Sequence, residues 1–274
     1  MNKILFDQDV QLLSPCFCRG AYPDKPEIRP ASIRGQLAWW FRAFGFSDAL
    51  GKDIFGGVGK PPMASRIVVR VLDCRGGTQS FGILPHKQGM SGSAFNPSSM
   101  FRMIINTRRD GLLKSQEEAL NKTLTAWLYF GGLGLRSNRA AGSVWLQGTT
   151  REAFDRFVLE LPSQNIVPCV LEATYSSVDS ARKDASDTIG GRDDRSGDNE
   201  LRSLAYPLGA INPRKPSPLK LKIVQFAEDL NQFRLVAVWD GRNDRIENLL
   251  EAARWMTQKN PPKPLGQLLL DAFS

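Results

Sequence analysis

Apolar and polar residues alternate through KILFDQDVQLL, which predicts a first β-strand over residues 3–13. The segment behind it, SPCFCRGAYPDKPEIRP, is broken by Pro15, Gly20, Pro23 and Pro26 and predicts a long loop. Ile33, Leu37, Trp40, Phe41 and Phe44 then recur at helical spacing, predicting a helix over 33–45 that Ser32 caps and Gly45 ends. Alternation returns in SRIVVRVLD, with Ile67, Val69 and Val71 on one face, and in FRMIIN, with Phe101, Met103 and Ile105. Ser115 and Glu118 have capping-box spacing ahead of a helix to residue 130, whose inward stripe is Leu120, Leu124, Trp127 and Leu128. Gly131 and Gly132 stop it, and GSVWLQG supplies a fourth strand. The order strand, helix, strand, strand, helix, strand is the split βαβ plan, an α+β, ferredoxin-like (RRM-like) fold shared by many functions.

Residues 74–98 are too long for a hairpin turn and rich in Gly and Ser, so we expect a projecting finger, mobile in the free protein, with Phe81, Ile83, Leu84, Met90 and Phe95 as apolar points. Beyond residue 150 the pattern predicts a short amphipathic helix in TTREAFDRFVLEL, strands in IVPCVLEAT, LKLKIVQF and FRLVAVW, and a final helix in RIENLLEAARWM. Residues 176–200 have almost no large apolar side chains, which predicts a mobile surface loop. The expected organisation is tandem: a ferredoxin-like domain over 1–150 and a less complete one over 151–274, with long loop insertions.

Composition is that of a chain with a real core, 42% hydrophobic and 23% charged over 274 residues. Charge changes the picture. The net charge is +8, yet residues 1–150 hold 19 Lys and Arg against 10 Asp and Glu, a balance of +9, while the remainder is close to neutral. A polyanion-binding half beside a neutral half would have this asymmetry. His86 stands alone, which excludes catalysis by a histidine pair and a His-rich metal site. Cys16, Cys18, Cys74 and Cys169 lack CxxC spacing, so we expect inert thiols. No apolar run reaches membrane-spanning length and the N-terminal stretch carries acids, so the expected setting is the cytoplasm, with no membrane partner.

Two segments carry candidate chemistry. In IRPASIRGQLAWWFRAFG, Arg29 flanks the predicted helix start, Arg34 stands in its first turn and Arg42 lies two turns on, while Gly35 lets a backbone approach. Cations at a helix N-terminus oppose the helix dipole unless an anion joins them. An ordinary amphipathic helix with solvated arginines is the plainer alternative. Trp40 should be core, and Trp39, about 100° round the helix, is the candidate partner or base contact. In GGLGLRSNRAAGSVW, Gly132, Gly134 and Gly142 permit close approach, and Arg136, Ser137, Asn138 and Arg139 are phosphate donors. This loop follows a helix, so it is neither a P-loop nor a Rossmann turn, and a plain Gly-rich connection is the alternative. Arg66 and Arg70, flanking Val68 on the second strand, complete the RNA-binding candidates.

The helix IRPASIRGQLAWWFRA, then DIFGG at 53–57, then GGLGLRSNRAAGS, with NPRKPSPLKLKI at 212–223, resembles the RAMP superfamily of CRISPR proteins, and within it the first-numbered subunit family of type III-B (Cmr) effector complexes. That resemblance implies a non-catalytic subunit that binds guide RNA (crRNA) near its 3′ end, helps bind target RNA and docks against neighbouring RAMP subunits, with no cofactor or metal. It also raises an alternative, because related backbone subunits cut target RNA with an aspartate in the loop after the first strand. Asp24 occupies a comparable loop here, and one carboxylate can hold Mg²⁺ together with phosphate oxygens.

Overall fold

The computed structural model describes residues 3–22, 25–58, 60–86, 89–108, 111–162, 165–187, 217–242 and 244–274. Strand β1 (Ile4–Leu12) lies inside a four-stranded antiparallel sheet with β2 (Ile67–Arg75), β5 (Met100–Thr107) and the two-residue β6 (Val144–Trp145), in the order β2-β5-β1-β6. Phe101, Met103 and Ile105 are fully buried beside Val10, as the alternation predicts. Helices α1 (Pro30–Ala43) and α3 (Lys114–Phe130) cover this face. Trp40 packs 5.8 Å from Phe130 across them, ring centroid to centroid. Each such ring, once buried, contributes about 1.5–3 kcal/mol.

Both helix starts differ from the sequence expectation. Pro30 occupies the first turn of α1, so the helix begins there and Ser32 lies inside it; proline presets the helical φ and loses no hydrogen bond at that position. In α3 the Gln116 side chain accepts from the Leu113 N–H at 2.8 Å, so half of a capping box forms two residues ahead of Ser115 and Glu118, leucine having no side-chain acceptor to complete it. A short helix in the DIFGG region was not legible: α2 (Asp48–Phe55), with the Ser47 hydroxyl accepting from Leu50 N–H and Ile54 and Phe55 buried.

The 74–98 insertion is a hairpin, β3 (Thr78–Gly82) with β4 (Ser91–Phe95), rather than a loose finger. Phe95 exchanges two backbone hydrogen bonds with Cys16, and Ile83 and Ala94 bury against Phe17 and Ala141. Its far end is fastened by His86 Nδ1 to Ser186 Oγ at 2.5 Å. The loop after β1 and the glycine-rich segment supply the apolar surface that the hairpin lacks, through Phe17 and Ala141, and the second half of the chain adds polar fastenings from Arg182 and Ser186.

After α4 (Arg151–Leu159), β7 (Ile166–Tyr175), β8 (Leu219–Val224) and β9 (Phe233–Asp240) form a second antiparallel sheet in the order β7-β9-β8. This matches three strands of the ferredoxin-like order, and no fourth strand occurs among the described residues. Residues expected to form a mobile loop contain helix α5 (Val178–Asp187), started by the Ser177 hydroxyl and buried through Ala181 and Ala185, small residues that a search for large apolar ones overlooks. The rest of that segment, 188–200, lies outside the described residues. Helix α6 (Ile246–Thr257) is followed by the unanticipated α7 (Pro264–Phe273), and one apolar core runs through both sheets.

Candidate nucleic-acid interface

Helix α1 has no acidic residue in its first turn and no side-chain cap; Pro30 has no N–H to offer, and Ser32 and Ile33 donate theirs to the Arg29 carbonyl oxygen, so the exposed charge at this end is that of the arginine side chains. Arg29, Arg34, Gly35 and Arg42 are exposed. At about 100° per residue, Gly35 and Arg42 flank Trp39 on the outward side, while Arg34 lies about 140° from Trp39 at the other margin of the exposed arc. Trp40 is 1% exposed and Trp39 half-buried, edge-on to Trp40 at 4.9 Å.

Trp39 gathers cations from the second half of the chain. Lys220 Nζ stands 4.2 Å from its ring centroid and the Arg242 guanidinium 5.1 Å. Lys220 Nζ also donates to Asn138 Oδ1 at 3.1 Å, which joins α1 to the glycine-rich loop. Asp240 binds Arg242 at 2.7 Å and is the carboxylate that offsets this group. Burial, reinforced by Arg139 and Arg242 and opposed by Asp240, pulls the Lys220 ammonium down to about 8. Two cations share one carboxylate, Lys220 largely buried beneath the surface and Arg242 exposed on it.

The glycine-rich loop is built differently from the expectation. A methyl group on Gly134, at φ +80°, would stand 2.7 Å from the Phe17 carbonyl carbon, and one on Gly142, at φ +57°, would overlap the Leu133 carbonyl oxygen. Gly132 likewise faces the Gly142 carbonyl, so all three glycines accommodate the protein's own backbone. Arg139 is 5% exposed and donates to the Leu219 and Asn138 carbonyl oxygens at 2.8 Å each, so it holds the loop to β8 and is not a surface phosphate donor. Arg136, at φ +63°, Ser137 and Asn138 are partly exposed on the loop's outer side.

The other candidates lie elsewhere. Arg66 is paired with Asp53 at 2.9 Å where α2 meets β2, so its charge is already met. Arg70 is exposed on the sheet face that the helices leave open, among the pairs Arg102–Asp7 and Arg75–Asp9. Cys16 and Cys18 are buried with their sulfurs 3.2 Å apart, and the shared hydrogen bond pushes the Cys16 thiol up. Asp24 lies outside the described residues, and among those described no group of three His, Cys, Asp or Glu side chains could hold a metal. No helix among them is long and apolar enough to cross a membrane.

Sequence reasoning missed Lys220 and Arg242 as members of the interface. Lys220 was within reach, since it stands in the basic segment 212–223. Its neighbour Lys222 is 2% exposed, donates to the Leu128 carbonyl and is held well below the usual lysine range by burial. Arg242 carried no signal, because only tertiary structure brings the end of β9 to α1.

The chain is 28% identical to the CRISPR system Cmr subunit Cmr1-1 of Pyrococcus furiosus over 153 residues, covering 47% of this chain and 44% of that protein. Against Cmr1-2 of the same organism it is 42% identical over 43 residues, 16% of this chain and 22% of that one. The matched stretches thus span less than half the length of either relative. In fold it is similar to the crystal structure of apo Cmr1 from Pyrococcus furiosus, with a TM-score of 0.54, 16% identity, and 88% of this chain and 92% of that one covered. A chain in the cryo-EM structure of the type III-B Cmr-beta complex bound to cognate target RNA gives a TM-score of 0.60 at 10% identity, over 89% and 96% of the two chains. The family model of the RAMP superfamily matches residues 9–145, half of the sequence, and the chain belongs to that superfamily.

Proposed function

We propose that this protein is a non-catalytic, guide-RNA-binding subunit of a type III-B CRISPR effector complex, contacting the 3′ region of the guide and helping to bind target RNA. The observation that carries this reading is the cation group on Trp39, where Lys220 and Arg242 meet α1 and Asn138 with a single carboxylate between them. Such a surface suits a phosphate backbone: ammonium and guanidinium donors held in place, with an aromatic body beneath them. Arg42, Gly35, Arg29 and the outer side of the Arg136–Asn138 loop extend it. Guide RNA, target RNA and neighbouring RAMP subunits are the partners, and no bound cofactor is required.

The test is binding of single-stranded RNA across a salt series. Affinity should fall linearly with the logarithm of salt concentration, and removing Lys220 and Arg242 together should lower the slope by about 0.7 for each phosphate no longer neutralised. Identical salt slopes for the double variant and the parent would overturn the interface. In the assembled complex, crosslinks from the guide should fall near its 3′ end, and Asp24→Ala should leave cleavage of target RNA with Mg²⁺ unchanged. Loss of cleavage in that variant would favour the ribonuclease alternative.

A further inference from the structure

Between the β3–β4 hairpin and α5 lies a groove of about 740 Å³ that none of the residues above explains. Its base is Arg182, 3% exposed. One Nη donates to the Gly82 carbonyl at 2.9 Å, and the guanidinium lies 5.7 Å from the centre of the Phe17 ring. The ion pair it makes among the described residues, with Asp179, is long at 3.9 Å, and that carboxylate is 81% exposed. Its Nε has no hydrogen-bond partner among the described residues. A charge taken out of water without a close partner costs several kcal/mol. Arg182 therefore keeps an incompletely met charge at the floor of the groove, for which an oxyanion is the natural partner.

The rest of the lining fits one kind of oxyanion. Lys183, exposed on α5, adds a second cation, and Ser91 and Ser180 add hydroxyl donors. Opposite them, Phe81 and the 55% exposed Met90 offer an apolar, polarisable surface. A carboxylate side chain would answer Arg182 but leave Phe81 and Met90 uncovered. A nucleotide unit covers both, with its phosphate on Arg182 and Lys183 and its base against the apolar wall. The hairpin belongs to the half of the chain with the +9 balance. We propose that this groove is a second RNA site, binding a phosphate and the adjoining base of a single strand. It rests on the reading of the protein as an RNA-binding subunit but uses none of the residues of the Trp39 interface.

Two variants test it without loosening Arg182 from the hairpin. Ser180→Glu adds a carboxylate to the groove and, three residues after Ser177, completes a capping box that should preserve α5. Lys183→Glu reverses the exposed cation. A single-stranded uridine oligonucleotide of about 15 residues carrying 4-thiouridine is bound to the full chain, crosslinked by light and mapped. The expected result is adducts on the peptides of β3 and β4, and affinity about tenfold weaker in each variant at unchanged melting temperature. Unchanged affinity with no adduct on the hairpin overturns the proposal, while salt-dependent binding through Lys220 and Arg242 still stands. Protection of the groove by AMP without any oligonucleotide adduct also overturns it, since the phosphate would then be that of a free nucleotide. So does unaltered RNA affinity combined with failure to join a neighbouring subunit, which would mean an acidic protein segment.

Discussion

Helix α1 and the glycine-rich loop have similar compositions, glycine interspersed with arginine, and the protein uses them in opposite ways. On α1 the arginines point to solvent and a methyl group on Gly35 would meet nothing within 4 Å. In the loop the glycines press against the backbone of Phe17, Leu133 and Gly142, and Arg139 is consumed by carbonyl groups. The first region offers charge outward; the second is a folding junction whose outer edge alone is available to a ligand. Composition does not separate the two. What separates them is whether the surrounding chain closes over the segment.

The contrast can be broken by mutation. Gly142→Ala should have the largest effect, since a left-handed residue must also overlap a carbonyl oxygen; a loss of about 4 kcal/mol in chemical denaturation is expected. Arg139→Ala should follow at about 3 kcal/mol, because it leaves the Leu219 carbonyl buried without its donor, and it should lower stability far more than an Arg42→Ala variant of the exposed arc. A tolerated Arg139→Ala would make the loop a second α1, and the distinction would collapse.

A smaller effect concerns pH. Lys220, with its ammonium pulled down to about 8, is mostly charged at pH 7 and mostly neutral at pH 9. An anion favours the charged form, so RNA binding should take up a proton and weaken about tenfold as pH rises through that window. Lys220→Arg, which stays charged, should flatten the profile, as fluorescence anisotropy at constant ionic strength would show. Smallest of all, Gly35→Ala should raise stability by about 0.5–1 kcal/mol, visible as a higher melting temperature, because α1 gains a better helix former where space is open.

Much of the fold was legible because the first half obeys simple periods. Ile67, Phe101, Met103 and Ile105 lie on the core face where alternation puts them, and Trp40 on the core side of its helix. The misses have common physical causes. Helix α5 is buried through alanines, so its apolar stripe is faint, and the hairpin is ordered by Phe17 and Ser186, distant residues that no local window contains. At the interface, Arg29, Arg34 and Arg42 could be read as exposed cations from the helical pattern alone. Arg66 and Arg139 could not be told from them, because an arginine's sequence context does not reveal whether an aspartate or a carbonyl will meet it.

The junction at Arg139 also bears on how the protein is made. Ala140 N–H donates to the Leu221 carbonyl and Leu221 N–H to that of Asn138, so a loop that leads into the last strand of the first sheet is completed by a strand encoded about 80 residues later. At about 5–20 residues per second, the ribosome would hold the emerging first half for several seconds with the Arg139 guanidinium and these backbone groups still facing water. During that interval the glycine-rich segment is a candidate recognition point for chaperones, and its closure onto β8 is a late step of vectorial folding rather than an early one.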